Sequence, residues 1–366
     1  MADARKTYTP DGVQVIPGSS AVVTAGGFAF TGSLMAFGSD LRLDSRAVQR
    51  PFGVYETDLL ELQSRVLLGQ LRATLAAINC SGSDVMRIWQ WMPSEYPSDE
   101  DYRRGPVVWP EFYPGDGYVR EAAEVFDSIR TSTGIGVRML PLEAAMMAVE
   151  VQVALPRAGV EKVGFPNPAV DNAETKLPFV STVRHGDWIT AVGTGSDLVG
   201  DWPHALHRGE PSLVAAEARV NPYIWLGSEI ASQTDFALRQ LKRSAERAGS
   251  SLDHCVHAEV TLLHPDDYPD FERVWRRWFP ERAPARRLTT GARIVAKGVR
   301  VEIGMTFLAA DSDIPIETIS HDGVTPPVGH TPLAVRAGQL TFVSTRLPLD
   351  SNHTVAPELR TESARR

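Results

Sequence analysis

Cysteine is almost absent from this chain. Cys80 and Cys255 are the only two in 366 residues. Neither lies in a CxxC pair, and two cannot make a disulfide framework. Long apolar runs are missing as well: no stretch approaches the roughly 18 to 20 residues that span a bilayer. Met1 to Pro10 is polar and lacks the apolar centre of a secretion signal. Positive charge is in deficit, with 37 Lys and Arg against 45 Asp and Glu and a formal net charge of −8. Phosphate backbones are bound by clustered positive charge, so nucleic acid is not an expected partner. These absences predict a soluble protein of a reducing compartment, the cytoplasm, with no membrane association.

What is present is ordinary globular composition, 43% hydrophobic and 22% charged, with length for two or three domains. One pattern occurs twice. Arg287-Leu288-Thr289-Thr290-Gly291-Ala292 precedes the apolar run Val299-Arg300-Val301-Glu302-Ile303. Arg130-Thr131-Ser132-Thr133-Gly134-Ile135 precedes Val149-Glu150-Val151. In both, an arginine opens a hydroxyl-bearing turn and a strand ends around one carboxylate. Recurrence within one chain signals duplicated architecture.

The flanking segments repeat in the same order. Ala21 to Thr31 reads as a hairpin around Gly26-Gly27. Asp58 to Ile78 carries Leu59, Leu62, Val66, Leu67, Leu71 and Leu75 at helical spacing. Val85 to Met92 alternates as a strand does, Tyr118 to Ile129 reads as a short helix, and a final strand ends near Leu155. The second series is a hairpin over Phe179 to Val192, a helix over Ile230 to Ala248 and a strand over His254 to Leu263. A helix over Asp267 to Phe279 and a strand to Leu308 complete it. A third hairpin opens at Leu333 to Ser344, with no helix after it.

The predicted fold is an α/β (α+β) sandwich of tandem repeats, each a mixed sheet with two helices on one face. Residues 1–158 form the first repeat, with an aromatic insertion at about 93–117. Residues 159–176 are a linker and 177–312 the second repeat. Residues 318–350 are a partial third repeat, only a hairpin, and 351–366 a polar tail. The third hairpin is expected to complete a cleft beside Arg287 or to contact another chain.

At this level the chain resembles the reactive-intermediate deaminase superfamily (Rid, YjgF-like). The family opening, Gly-Pro-Tyr-Ser-x-Ala-Val-x-x-Gly before a strand ending in Ser-Gly, is echoed near Ser19, Leu177 and Gly329. The arginine turn and the Glu-bearing last strand are echoed twice. The resemblance implies a chorismate-mutase-like fold, trimer-like packing of repeats in a homo-oligomer, and clefts between neighbouring units. It implies hydrolysis of a small carboxylate-bearing enamine or imine to a keto acid and ammonia, with no cofactor and no metal. Arg287 and Arg130 would clamp the substrate carboxylate, since a guanidinium offers two parallel donors. Glu302 and Glu150 would position water and move its proton. Thr31, Thr133, Phe179 and Thr289 would line the clefts. The family tyrosine is replaced by Phe179 and Thr331, and its serine by Val192, which points to a changed substrate. The Ser-Thr-Gly-Ile-Gly turn also resembles the two-repeat chorismatases, leaving hydrolysis of a cyclic carboxylate open, and a non-catalytic binding role stays open too.

Other motifs carry less. His254 and His257 fall on opposite faces of a strand and cannot readily share a metal. Arg273 to Trp278 interleaves basic and aromatic residues, but helical spacing turns the aromatics inward and the arginines to water. Gly193-Thr194-Gly195 lacks the helix that a dinucleotide site needs.

Overall fold

The computed structural model describes residues 5–48, 59–93, 122, 125–127, 129–142, 144–166, 179–196, 214–221, 223, 227–291, 293–294, 298–322 and 324–347. The chain opens with β1 (Lys6–Tyr8) and the hairpin β2 (Val22–Ala25) and β3 (Phe28–Thr31). Gly26 and Gly27 turn it with φ of +59° and +82°, angles that glycine adopts without strain. Helix α1 (Leu59–Ala76) follows, then β4 (Val85–Pro93), β5 (Thr131–Val137) and β6 (Ala148–Ala154). Leu60, Leu67, Leu71 and Leu75 of α1 are buried with Val85, Ile88, Val149 and Val151 of the sheet. Each such leucine contributes about 1.5–3 kcal/mol by burial.

The order then repeats. β7 (Lys162–Phe165), β8 (Thr182–His185) and β9 (Trp188–Thr194) precede α2 (Glu229–Arg247) and β10 (Cys255–Leu262). The Ser228 hydroxyl caps α2 by accepting from the Ala231 N–H, and Gly249 follows its end at φ +81°. Helix α3 (Tyr268–Trp278), β11 (Ala285–Thr290), β12 (Arg293–Ile294) and β13 (Val301–Leu308) complete the unit. In α3, Phe271, Val274 and Trp275 are buried while Arg273, Arg276 and Arg277 are exposed, as their spacing requires. The last unit is β14 (Ile316–Ile319), β15 (Ala334–Ala337) and β16 (Leu340–Val343).

The strand order is β1-β2-β3-β6-β4-β5-β12 in the first sheet and β11-β10-β13-β9-β8-β7 in the second. β14-β15-β16 forms a third. The fold is therefore a mixed α/β sandwich with helices packed on one face of each large sheet. β12 belongs to the second series yet pairs with β5 of the first, Arg293 against Gly136 and Ile294 against Ile135.

Several expectations need correction. The two arginine turns are not turns. Thr131–Val137 and Ala285–Thr290 are strands, paired parallel to β4 and β10. The polar lead-in contains β1, the linker contains β7, and the third unit has one strand more than a hairpin. In each case a short strand covers the outer side of the hairpin that follows. The aromatic insertion beyond Pro93, and most of the helix expected at 118–129, lie outside the described residues. The third unit does sit beside the strand that carries Arg287. The Thr345 N–H donates to the Arg286 carbonyl at 2.9 Å, and the Leu288 N–H donates to the Thr345 hydroxyl at 2.8 Å. The free edge of β11 is thus covered.

Alternation fixes what the sheets show to each other. Ile88 on β4 and Ala258, Val260 and Leu262 on β10 face the helices. Arg87, Trp89 and Trp91, and likewise His257, Glu259 and Thr261, face the other way. These two helix-free faces meet.

Candidate functional site

A bulge interrupts the β4–β6 pairing between Val85 and Arg87, and another interrupts β10–β13 between Cys255 and His257. Superposing the bulges sets Arg87 level with His257, Trp89 with Glu259 and Trp91 with Thr261. On the neighbouring strands Thr133 then matches Arg287, and Glu150 matches Gly304. The motif reading, which equates Arg130 with Arg287 and Glu150 with Glu302, is corrected by this register. The true counterparts are Thr133, three residues past Arg130, and Ala148, two before Glu150.

Arg87 is the centre of the interface. It is 1% exposed and leaves its own sheet to pair with Glu259 of the other at 2.7 Å. Its guanidinium lies 4.4 Å from the centre of the Trp89 ring. The Trp89 indole N–H also donates to Glu259, at 2.9 Å. Burial would lift the Glu259 carboxyl, but the Arg87 guanidinium, helped by Arg287, holds it below the usual carboxylate range. His257 is pushed down to about 4 by burial, so its imidazole is neutral.

Gly304 makes room for this pair. A Cβ there would stand 1.9 Å from Nη2 of Arg87 and 2.6 Å from its Cζ. Gly304→Ala is therefore expected to lower stability by about 1–3 kcal/mol, the usual cost of overpacking. Chemical denaturation measures it, and an unchanged midpoint would mean that Arg87 can sit elsewhere.

The face opens toward solvent at Arg287. Its side chain is 41% exposed, 3.7 Å from Glu259, with the Trp91 ring centre 5.8 Å away. Glu150, from the first sheet, lies within its field. Burial raises the Glu150 carboxyl above the usual range against the pull of Arg287, with Ser33 and Trp91 also against it. Glu302 sits deeper, 4% exposed, against Thr133. Burial pushes its carboxyl up to about 8, so it carries a proton at neutral pH. Its Oε1 is buried with no hydrogen-bond partner among the described residues. Glu259 ionised and Glu302 protonated are two carboxyl groups driven apart by environment, the condition under which one fold holds both an acid and a base.

The other expected residues divide. Thr133 joins the cluster, accepting from Nη2 of Arg87 at 3.4 Å. Thr289 is exposed at the mouth, its hydroxyl 3.3 Å from that of Thr261. Arg130 is not brought to Glu150. It precedes β5, turns to the helix side, donates to the Asp127 carbonyl and lies over the Phe126 ring at 4.7 Å. The Thr31 hydroxyl accepts from the Val151 N–H at 2.9 Å, a bond that ties β3 to β6. Phe179 is half-buried just before β8. Arg287 and Glu302, expected to meet, lie on β11 and β13 with β10 between them. Arg286, the neighbour of Arg287, faces α3 and pairs with Glu272 at 2.8 Å, 2% exposed.

Sequence reasoning missed Arg87, Glu259, Trp89 and Trp91. The available signal was a charge at alternate positions inside two otherwise apolar strands, which marks a polar sheet face with a charged partner opposite. Among the described residues no group of three metal-ligating side chains occurs, and no helix is long and apolar enough to cross a membrane.

Comparison with known proteins places these elements. Residues 173–308 match the model of the family described as Endoribonuclease L-PSP. Protein mmf2, mitochondrial, of Schizosaccharomyces pombe is 26% identical over 106 residues, 28% of this chain and 84% of that protein. A YjgF-family protein from Mycobacterium tuberculosis has a solved structure at 18% identity and TM-score 0.30, covering 41% of this chain and 100% of that one. A solved chorismatase is 15% identical with TM-score 0.49, covering 81% of this chain and 80% of that one. Matched by the family model across its second unit, and built on the same strand order in its first, the chain resembles the reactive-intermediate deaminase (YjgF-like) superfamily, a likeness that supports a small-molecule enzyme or binding role.

Proposed function

We propose that the chain hydrolyses a small carboxylate-bearing enamine or imine at the mouth of this inter-sheet face, releasing ammonia. The observation that carries the reading is Arg287, partly exposed between Glu259 and the Trp91 ring, with the carboxyl of Glu150 from the other sheet within its field. Arg287 holds the substrate carboxylate, with the Trp91 ring as a wall and Glu259 fixing the guanidinium from behind. The enamine tautomerises to its imine. Glu150, made more basic by burial, takes a proton from water as the water oxygen bonds to the imine carbon. That proton passes to nitrogen, giving a carbinolamine. Glu150 then takes the hydroxyl proton and hands it to the same nitrogen as the carbon–nitrogen bond breaks, so ammonia leaves as the carbonyl forms. Imine hydrolysis is intrinsically easy, so orientation is the main contribution of the site. Glu302 lies too deep to touch the substrate and positions Thr133. The arginines of this face stand among three glutamates, which does not suit a phosphate backbone.

The test is ammonia release from enzymatically generated 2-aminoacrylate. Arg287→Ala should lower kcat/KM by about 10- to 100-fold, the worth of a charge-assisted hydrogen bond. Glu150→Gln should lower kcat with KM little changed. A wild-type rate in Arg287→Ala would remove the site. Chorismate consumption without ammonia release would favour the cyclic-carboxylate hydrolase instead. No turnover of either would leave a binding protein.

A further inference from the structure

The three hairpins converge at their turns, on a part of the molecule remote in sequence from Arg287 and Glu302. Each turn opens on a glycine of nearly the same geometry: Gly26 at φ +59°, Gly186 at +59° and Gly338 at +57°. All three glycines line one cavity of about 490 Å³, within the size range of small-molecule pockets. Phe28 and Trp188 form its apolar floor, packed edge to face at 5.3 Å.

Around this pseudo-threefold axis, matched positions can be compared. The first turn reads Ala25-Gly26-Gly27-Phe28 and the third Ala337-Gly338-Gln339-Leu340. The second reads His185-Gly186-Asp187-Trp188. The first and third turns bring no ionisable side chain to the cavity. The second instead brings an imidazole, a carboxylate and an indole to the cavity. Arg157, on the connection after β6, adds a guanidinium to the same wall. His185 is half-buried, and burial holds its imidazole below the ordinary range, so it is a neutral donor or acceptor.

We propose that this axial cavity binds a small zwitterion with an apolar body, of the class of an aromatic α-amino acid. Arg157 takes the carboxylate and Asp187 the ammonium. The apolar body lies on Trp188 and Phe28. A wall with one cation, one anion and an aromatic floor selects against ligands of a single charge, because either of its charges would then face an unmatched group. The site is independent of the proposed hydrolysis, and its test does not use turnover.

The experiment is calorimetric titration of the full chain with three probes of equal ring size. L-phenylalanine carries both charges, 3-phenylpropionate lacks the ammonium and phenethylamine lacks the carboxylate. L-phenylalanine should bind at least tenfold tighter than either. Asp187→Asn should abolish its advantage over 3-phenylpropionate, and Arg157→Gln its advantage over phenethylamine. Both side chains are at least partly solvent-exposed, and circular dichroism checks that the variants fold. No heat with L-phenylalanine, equal affinity for the three probes, or binding indifferent to both variants would each overturn the proposal.

Discussion

Arg87→Met should unfold far more easily than the parent chain, by about 3–5 kcal/mol in chemical denaturation, the usual cost of stripping one partner from a buried ion pair. The geometry gives the reason. Arg87 is buried, and the carboxylate it serves is anchored by the Trp89 indole at 2.9 Å and cannot swing out to water. Among the described residues only the partly exposed Arg287, at 3.7 Å, would remain to compensate the charge of Glu259. Adding Glu259→Gln should recover most of the loss, since glutamine still accepts from Trp89 but carries no charge. Gly304→Ala should lose its own penalty in the Arg87→Met background, because the atoms it would strike are gone. Such coupling is expected of residues in contact. A loss under 1 kcal/mol for Arg87→Met, or strict additivity with Gly304→Ala, would mean that the two sheets do not meet through this pair.

Glu302→Gln should flatten the pH dependence of stability. The folded carboxyl is raised to about 8, whereas an unfolded glutamate titrates near ~4.3. Between these values the folded state holds a proton that the unfolded state has released. Its stability is fully present below the unfolded value and is lost as pH rises toward 8. At ~1.4 kcal/mol per pH unit the loss is on the order of 5 kcal/mol. Glutamine mimics the protonated acid and has nothing to release. Wild type and variant should therefore be similar near pH 5 and diverge steadily to pH 9, with the variant more stable. Parallel stability curves over that range would show that Glu302 is ionised in the fold. Glu259 acts at the other end: its depressed carboxyl contributes stability above the ordinary carboxylate range, lost as pH falls.

Local signals carried the fold well. Leucines at helical spacing in α1, a glycine pair in the first hairpin and the double recurrence of the hairpin–helix–strand order were all readable before any coordinate. The site was legible only in pieces. Arg287, Glu150, Glu302 and Thr133 stand out, but the motif pairs them within repeats, whereas the structure sets Arg287 on one sheet and Glu150 within its field on the other. A one-repeat comparison cannot reveal that, because which side chains meet depends on how two sheet faces dock. The spurious match of Arg130 to Arg287 arose from similar letters around two strands whose registers differ by three residues. Two bulges at equivalent points, which leave no clear mark in sequence, were needed to set it right. Arg87 and Glu259 were passed over because a charge on a strand reads as solvent-facing until a second charged face is found opposite it.

The exchange of Glu150 for Gly304 at matched positions has a corollary. A second copy of the first unit in place of the other would set a carboxylate where the guanidinium of Arg87 now lies, and a second copy of the second would have no such guanidinium to seat. Neither half can regenerate this crevice by assembling with itself. The two units are complements within one polypeptide: the first contributes the guanidinium and the second the space that seats it.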